Sequence, residues 1–347
     1  MDLRVVDMHT AGEPVRIVVE GYPELRGRTI LDKRREALAR HDHLRRALML
    51  EPRGHAGMYG VIPVAPSGPE AVMGALFTHN EGYSTMCGHA TIALGRFLVE
   101  TGRVPAREPE TAFALELPCG LVSVTCRVEA GRVTETEFES VPAFLSQRDL
   151  PVAVEGFGTV SLDVAYGGAF YAVVPASRLG LDFMGTPLDA LTRAAVAVTE
   201  AVRATVPISH PDEPDLGFLY GTILTDDARP PEPTFNLCVF AEGQIDRSPT
   251  GSGVTARVAR DHAWGTMTAD GPVRTFHGPT GLGFTGRIAR VLGDAVTVRV
   301  AGTSAFTGES TFRIEPDDPL AYGFALPSSF GALSAARTGS AGSPSRR

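Results

Sequence analysis

The chain carries one turn twice, with a thiol in the first copy and a hydroxyl in the second. Met86-Cys87-Gly88-His89-Ala90 lies in the first half and Pro249-Thr250-Gly251-Ser252-Gly253 in the second. Each turn opens a run of small residues with helical character, Thr91-Ile92-Ala93-Leu94-Gly95-Arg96 and Val254-Thr255-Ala256-Arg257-Val258-Ala259. The order strand cluster, reactive turn, helix, strand cluster therefore occurs once in each half, weak in letters and strong in layout. Such a repeat restricts the fold to two similar units, each holding a reactive side chain at a helix N-terminus with free backbone N–H groups. Two such sites facing one ligand bracket it asymmetrically. A base on one side of a carbon permits proton removal, whereas bases on both sides permit inversion.

The surrounding pattern agrees with an α/β chain of mixed, largely antiparallel sheets. Leu3-Arg4-Val5-Val6-Asp7-Met8, Val15-Arg16-Ile17-Val18-Val19 and Ala295-Val296-Thr297-Val298-Arg299-Val300 are β-branched and partly alternating, as strands are. Helices are expected over 31–50, 89–101, 187–205 and 251–262. Thr101-Gly102-Arg103-Val104-Pro105 stops the second and Trp264-Gly265 the fourth. Hairpins are expected over 115–128 through Gly120 and over 291–300 through Gly293-Asp294. At 347 residues the chain exceeds one ordinary core, so two domains are expected, divided near 147–155. The segment 328–347 is rich in Ser, Ala, Gly and Arg and reads as a disordered tail.

Composition removes several function classes. A formal charge of -8 leaves no basic footprint for nucleic acid, so small molecules or further copies of the chain are the expected partners. No apolar run approaches the roughly 20 residues that span a bilayer, and the first residues lack a secretory apolar region, so the reading is cytoplasmic. Lys33 is the only lysine, and it lies in a charged amphipathic stretch, Leu31-Asp32-Lys33-Arg34-Arg35-Glu36-Ala37-Leu38, where a solvated surface residue is expected rather than a pyridoxal Schiff base. Gly251-Ser252-Gly253-Val254-Thr255-Ala256 fits a dinucleotide fingerprint in letters but not in context, because no strand runs directly into its first glycine. No metal is expected: the histidines lack paired ligand spacing, and the four cysteines form no CxxC pair.

Of those cysteines, Cys119, Cys126 and Cys238 fall in strand-like stretches and read as packing thiols. Cys87 differs in context, since His89 and a helix N-terminus both favour thiolate over thiol, toward neutral pH or below. Glycines around both turns allow backbone N–H groups to approach an anion, and two N-termini can share one carboxylate. Asp246, four residues before Thr250, can accept from a protonated amine, or serve only as a turn residue. Together these elements suit an amino acid.

Five segments in register extend the reading. Asp7-Met8-His9-Thr10-Ala11-Gly12-Glu13-Pro14-Val15-Arg16, Glu51-Pro52-Arg53-Gly54-His55-Ala56-Gly57-Met58-Tyr59-Gly60, Met86-Cys87-Gly88-His89, Asp163-Val164-Ala165-Tyr166-Gly167-Gly168-Ala169-Phe170-Tyr171 and Asp246-Arg247-Ser248-Pro249-Thr250-Gly251-Ser252-Gly253 resemble the proline racemase family, with the likeness running from about residue 3 to 326. The resemblance implies a diaminopimelate-epimerase-like fold of two pseudo-symmetric domains, each a sheet wrapped around a central helix, and a cofactor-free site between them. It implies a domain at 1–150 carrying Cys87, with 315–327 a candidate to complete it, a domain at 151–314 carrying Thr250, and a homodimer.

In the family's racemases and 4-hydroxyproline epimerases, cysteines occupy both positions that match Cys87 and Thr250. The Cys/Thr pair here instead resembles the trans-3-hydroxy-L-proline dehydratase branch, which eliminates water to give Δ1-pyrroline-2-carboxylate. The resemblance makes Cys87 the base and Thr250 a hydrogen-bonding partner. It puts the carboxylate on the N–H groups near Gly88, His89, Gly251 and Ser252, and the ring nitrogen against His89 and Asp246. A racemase or epimerase using bound water at Thr250 is the alternative activity. A non-catalytic imino-acid binding protein is the alternative class.

Overall fold

A computed structural model of the chain describes residues 1–326; the expected tail at 328–347 lies outside the described residues. Among the described residues are eighteen strands and four α-helices: α1 (Ile30–Met49), α2 (Gly88–Glu100), α3 (Leu188–Thr205) and α4 (Gly251–Ala263). All four helices stand where the sequence pattern puts them, within a residue or so at each end. Strand pairing is mostly antiparallel, with parallel exceptions such as Glu13–Glu20 on Tyr59–Val64 and Phe170–Pro175 on Leu219–Thr225. Both expected hairpins form, the first from Glu110–Leu117 and Gly120–Glu129, the second from Gly283–Leu292 and Ala295–Gly302.

The helices divide into two kinds because their sequences do. α2 is apolar nearly all round, and a helix of that composition has no face to give to water. It becomes a core element, with Ile92, Ala93, Leu94 and Phe97 in the same hydrophobic cluster as Val254, Ala256, Val258 and Ala259 of α4. α4 also buries Arg257 and Asp261. Arg257 Nη1 donates to Asn236 Oδ1 at 2.6 Å, and Arg274 Nη1 donates to Asp261 Oδ2 at 2.9 Å, so both buried charges have partners. α1 and α3 are amphipathic and pack one face each, α3 on a cluster around Leu191, Ala195 and Val198 and α1 on one around Leu44, Leu48 and Ile62.

Pairing also shows how the ends of the chain meet. Ser304–Arg313 pairs antiparallel with Asp2–Thr10, and Phe324 bridges back to Glu51, so the last described residues pack on the first half. The expected division at residue 150 falls inside the strand Phe144–Val154, which pairs with Gly158–Tyr166.

Two expectations are corrected here. Lys33 is not a solvated surface residue: it is 5% exposed, and its ammonium donates to the Ala65 carbonyl at 2.9 Å. Cys119 is not in a strand but in the two-residue turn, Pro118-Cys119, between the strands of the first hairpin.

The two central helices meet at their N-termini, glycine against glycine. A Cβ added at Gly88 would lie 2.4 Å from the Gly251 Cα, and one added at Gly251 would lie 2.7 Å from the Gly88 Cα. These contacts are with backbone, which cannot swing aside. Gly88→Ala and Gly251→Ala are therefore expected to lower stability by about 1–3 kcal/mol in denaturant unfolding. Gly308→Ala, where an added Cβ meets open space, is the matched control and is expected to leave the midpoint nearly unchanged.

Candidate active site

Cys87 is the N-cap of α2, its Sγ accepting from the Ala90 amide at 3.4 Å. Two threonines fix the turn: Thr91 Oγ1 donates to the Cys87 carbonyl at 2.7 Å, and Thr10 Oγ1 donates to the His89 carbonyl at 2.8 Å. Thr250 is the N-cap of α4 with φ 62° and ψ 94°, a left-handed conformation unusual for a β-branched residue. Asp246 helps to hold it there, since Thr250 Oγ1 donates to Asp246 Oδ2 at 2.8 Å and the Ser248 amide donates to Asp246 Oδ1 at 2.7 Å. Asp246 is thus both a turn residue and a member of the site. Asn236 Nδ2 braces the turn from behind by donating to the Pro249 carbonyl at 2.7 Å.

These groups converge on one buried cavity lined by Tyr59, Cys87, His89, Asp246, Thr250 and Ser252, among others. All seven residues singled out from the sequence, Cys87, Gly88, His89, Asp246, Thr250, Gly251 and Ser252, lie on its wall. The two helix N-termini face it together, and their aligned peptide dipoles favour negative charge between them. His89 Nδ1 is 3.2 Å from Cys87 Sγ and 3.9 Å from Asp246 Oδ2, which links the two turns across the cavity. Ser252 Oγ and the Tyr171 hydroxyl are 2.7 Å apart.

The cavity measures about 10 Å³, roughly the room of one water molecule. A larger crevice of about 830 Å³ runs past Cys119, Phe144, Tyr166 and His210, but neither helix N-terminus nor Cys87 reaches it. The residues singled out from the sequence line the small cavity and not the crevice. Hydrogen bonds near the cavity also tie the first half of the chain to the second. The Arg247 amide donates to Glu13 Oε2 at 2.7 Å, Arg247 Nη1 donates to the Gly57 carbonyl at 2.7 Å, and Thr280 Oγ1 donates to the Ala11 carbonyl at 2.9 Å.

Burial changes the electrostatics expected of Cys87. The thiol is pushed well above its ordinary range, first by loss of water and then by the negative charge of Asp246 and Glu13. The Ala90 amide and the Tyr59 hydroxyl pull the other way without prevailing. His89 is lowered, again chiefly by burial, so its ring is neutral at pH 7. The sequence-based expectation of a thiolate near neutral pH is corrected for this closed form, because a helix N-terminus offsets only part of the cost of burying a charge.

Several site residues were not read from the sequence. Tyr59 and Tyr171 stand inside quoted motifs, but nothing local gives them a role. Tyr220 lies in a buried strand, Leu219–Thr225, and Ser84 in a short one, Tyr83–Ser84, and the fold brings their hydroxyls together. Cys238, read as a packing thiol, is fully buried and sits within hydrogen-bonding influence of Thr250. Among the described residues, no three His, Cys, Asp or Glu side chains form a metal-binding group, and no helix is long and apolar enough to cross a membrane.

Comparison with known proteins gives the family. Residues 5–325 match the proline racemase family. A trans-3-hydroxy-L-proline dehydratase of Homo sapiens is 53% identical over 335 residues, covering 93% of this chain and 94% of that one. A trans-L-3-hydroxyproline dehydratase of Xenopus tropicalis is 52% identical over 332 residues, covering 93% and 95%. Among solved structures, a hydroxyproline epimerase from Agrobacterium vitis with bound trans-4-hydroxy-L-proline superposes with a TM-score of 0.89 at 26% identity, covering 94% of this chain and 95% of that one.

Native-state alkylation tests the electrostatics. Because the folded thiol is raised, the reactive thiolate is scarce at pH 7 and grows as pH rises. Iodoacetamide labelling of Cys87 is expected to climb steadily from pH 7 to beyond pH 9, and peptide mass mapping reads it. A rate that has already levelled off near pH 7 contradicts the burial argument.

Proposed function

The chain belongs to the proline racemase family, and within it we propose that this protein is a hydro-lyase that converts trans-3-hydroxy-L-proline to Δ1-pyrroline-2-carboxylate with Cys87 as the single base. The observation that carries this reading is the pairing of Cys87 with Thr250 across one closed cavity. An alcohol is far too weak an acid to hold or return a proton as a thiol does, so only one face of Cα has a base. The identity of the dehydratase relatives, about half of all positions over nearly the whole chain, supports the same substrate and the same outcome.

The mechanism follows from the wall residues. The substrate carboxylate sits between the two N-termini, on the first-turn amides of Gly88, His89, Gly251 and Ser252, where it takes up the charge that develops when Cα loses its proton. Asp246 and His89 orient the ring nitrogen. Thr250, tethered to Asp246, contacts substrate without exchanging a proton at Cα. Cys87 removes the Cα proton once the substrate's ammonium and the helix dipoles offset the charge that burial otherwise disfavours. The electron pair forms the C2–C3 double bond as the C3–oxygen bond breaks. The resulting enamine tautomerises to the cyclic imine. Two epimerase-like units at 1–150 and 151–314, with the return of 315–327, a homodimer and a cytoplasmic setting belong to the same reading.

Incubation with trans-3-hydroxy-L-proline followed by borohydride is expected to yield proline, and Cys87→Ser to lower that yield rate by about 10²–10⁴-fold. Inversion of L-proline or trans-4-hydroxy-L-proline without any imine would identify an isomerase instead. Thr250→Cys is expected to extend Cα deuterium exchange from L-proline to D-proline, detected by mass spectrometry; exchange still confined to one enantiomer argues against opposed faces.

A further inference from the structure

Hydroxide is a poor leaving group, and the departing 3-hydroxyl needs a proton at the moment its bond to carbon breaks. In trans-3-hydroxy-L-proline that hydroxyl lies on the same ring face as the Cα hydrogen, so its donor must stand on the Cys87 side. Thr250 is on the other turn and already donates to Asp246. His89 is neutral, and its Nδ1 lies between Cys87 and Asp246.

Three hydroxyls form one hydrogen-bonded chain that begins at the cavity wall beside Cys87. Tyr59 donates to Ser84 Oγ at 2.7 Å, and Ser84 Oγ donates to the Tyr220 hydroxyl at 2.9 Å. All three side chains are buried, and both tyrosines line the cavity with Cys87. Their rings are fixed by packing: Tyr59 meets the His89 ring edge-on at 4.7 Å, and Tyr220 stacks on Phe240 at 5.2 Å. The donor order is directional. Each hydroxyl hydrogen points one step further along the chain, which leaves a lone pair free on Tyr59 and a hydrogen free on Tyr220. The Tyr59 hydroxyl lines the same cavity wall as Cys87, so its free lone pair can accept the proton held by the thiol.

We propose that Tyr59, Ser84 and Tyr220 form a proton relay that carries the proton taken by Cys87 from Cα to the departing 3-hydroxyl, with Tyr220 as the final donor. The proposal rests on the dehydratase reading above. Its balance closes without a co-reactant. Cys87 gains the Cα proton and passes it to Tyr59; Tyr59 passes its own to Ser84, Ser84 to Tyr220, and Tyr220 to the leaving oxygen, which departs as water. Each relay hydroxyl ends with one hydrogen, as it began, and Cys87 is again a thiolate. Tyr220 alone touches the substrate; Ser84 and Tyr59 act through it.

The test separates proton abstraction from loss of the leaving group. Ser84→Ala and Tyr220→Phe are compared with the wild type on trans-3-hydroxy-L-proline and on trans-3-chloro-L-proline, whose chloride departs without a proton. Imine formation from the hydroxy substrate is expected to fall about 10²-fold or more, while chloride elimination and Cα deuterium exchange of L-proline persist. Ser84→Thr, which keeps the hydroxyl, is expected to recover the hydroxy substrate. The relay is overturned if both substrates slow together, as they would in a misfolded site, or if neither slows. A wild-type protein that forms no imine from the hydroxy substrate refutes the dehydratase reading itself, before any variant is compared.

Discussion

Everything in the site depends on the contact between Gly88 and Gly251. Two helices start at the same point in space, and their backbones approach so closely that neither glycine has room for a Cβ. This closeness brings two sets of first-turn amides to one cavity and sums their dipoles on one side of a ligand. It also sets the distance between the side chains just before each helix, Cys87 and Thr250. On the proposed reading, a wider contact would leave the substrate carboxylate bound to one helix only, with Cα out of line between the two turns.

The same closeness has an electrostatic cost. A cavity with room for about one water molecule leaves the Cys87 thiol without solvent, and the nearby carboxylates Asp246 and Glu13 oppose its ionisation further. On the proposed reading, Cys87 is therefore a weak base until substrate arrives. A zwitterionic imino acid brings the compensating positive charge of its ring nitrogen, and the cavity that penalised the empty thiolate then strengthens each interaction with it. Water exclusion protects the carbanion-like state and the enamine as well. The Arg247 contacts with Glu13 and Gly57 also join the first half of the chain to the second.

Much of this was legible locally. All four helices could be drawn from apolar periodicity and stop residues, and the paired turns marked the two central ones. Cys87, His89, Asp246 and Thr250 could be picked out because they cluster within a few residues of those turns, and the family resemblance gave each a role. Tyr220 could not be found this way. It sits in Leu219–Thr225, a fully buried strand whose letters differ little from any other core strand. Its hydroxyl can take the proposed relay role only because the sheet carries it beside Ser84, 136 residues away. Lys33 failed for a related reason: a charged neighbourhood in sequence says nothing about a carbonyl at residue 65.

The sequence by itself determined the repeat, the helices, and the substitution of a hydroxyl for a thiol at the second turn, because these depend on side chains near each other along the chain. The tertiary structure alone decided that the turns meet, that the thiol is raised rather than lowered, and that three distant hydroxyls line up beside it. Dielectric and hydrogen-bond geometry belong to what surrounds a group, and in this protein those surroundings come from opposite halves of the chain.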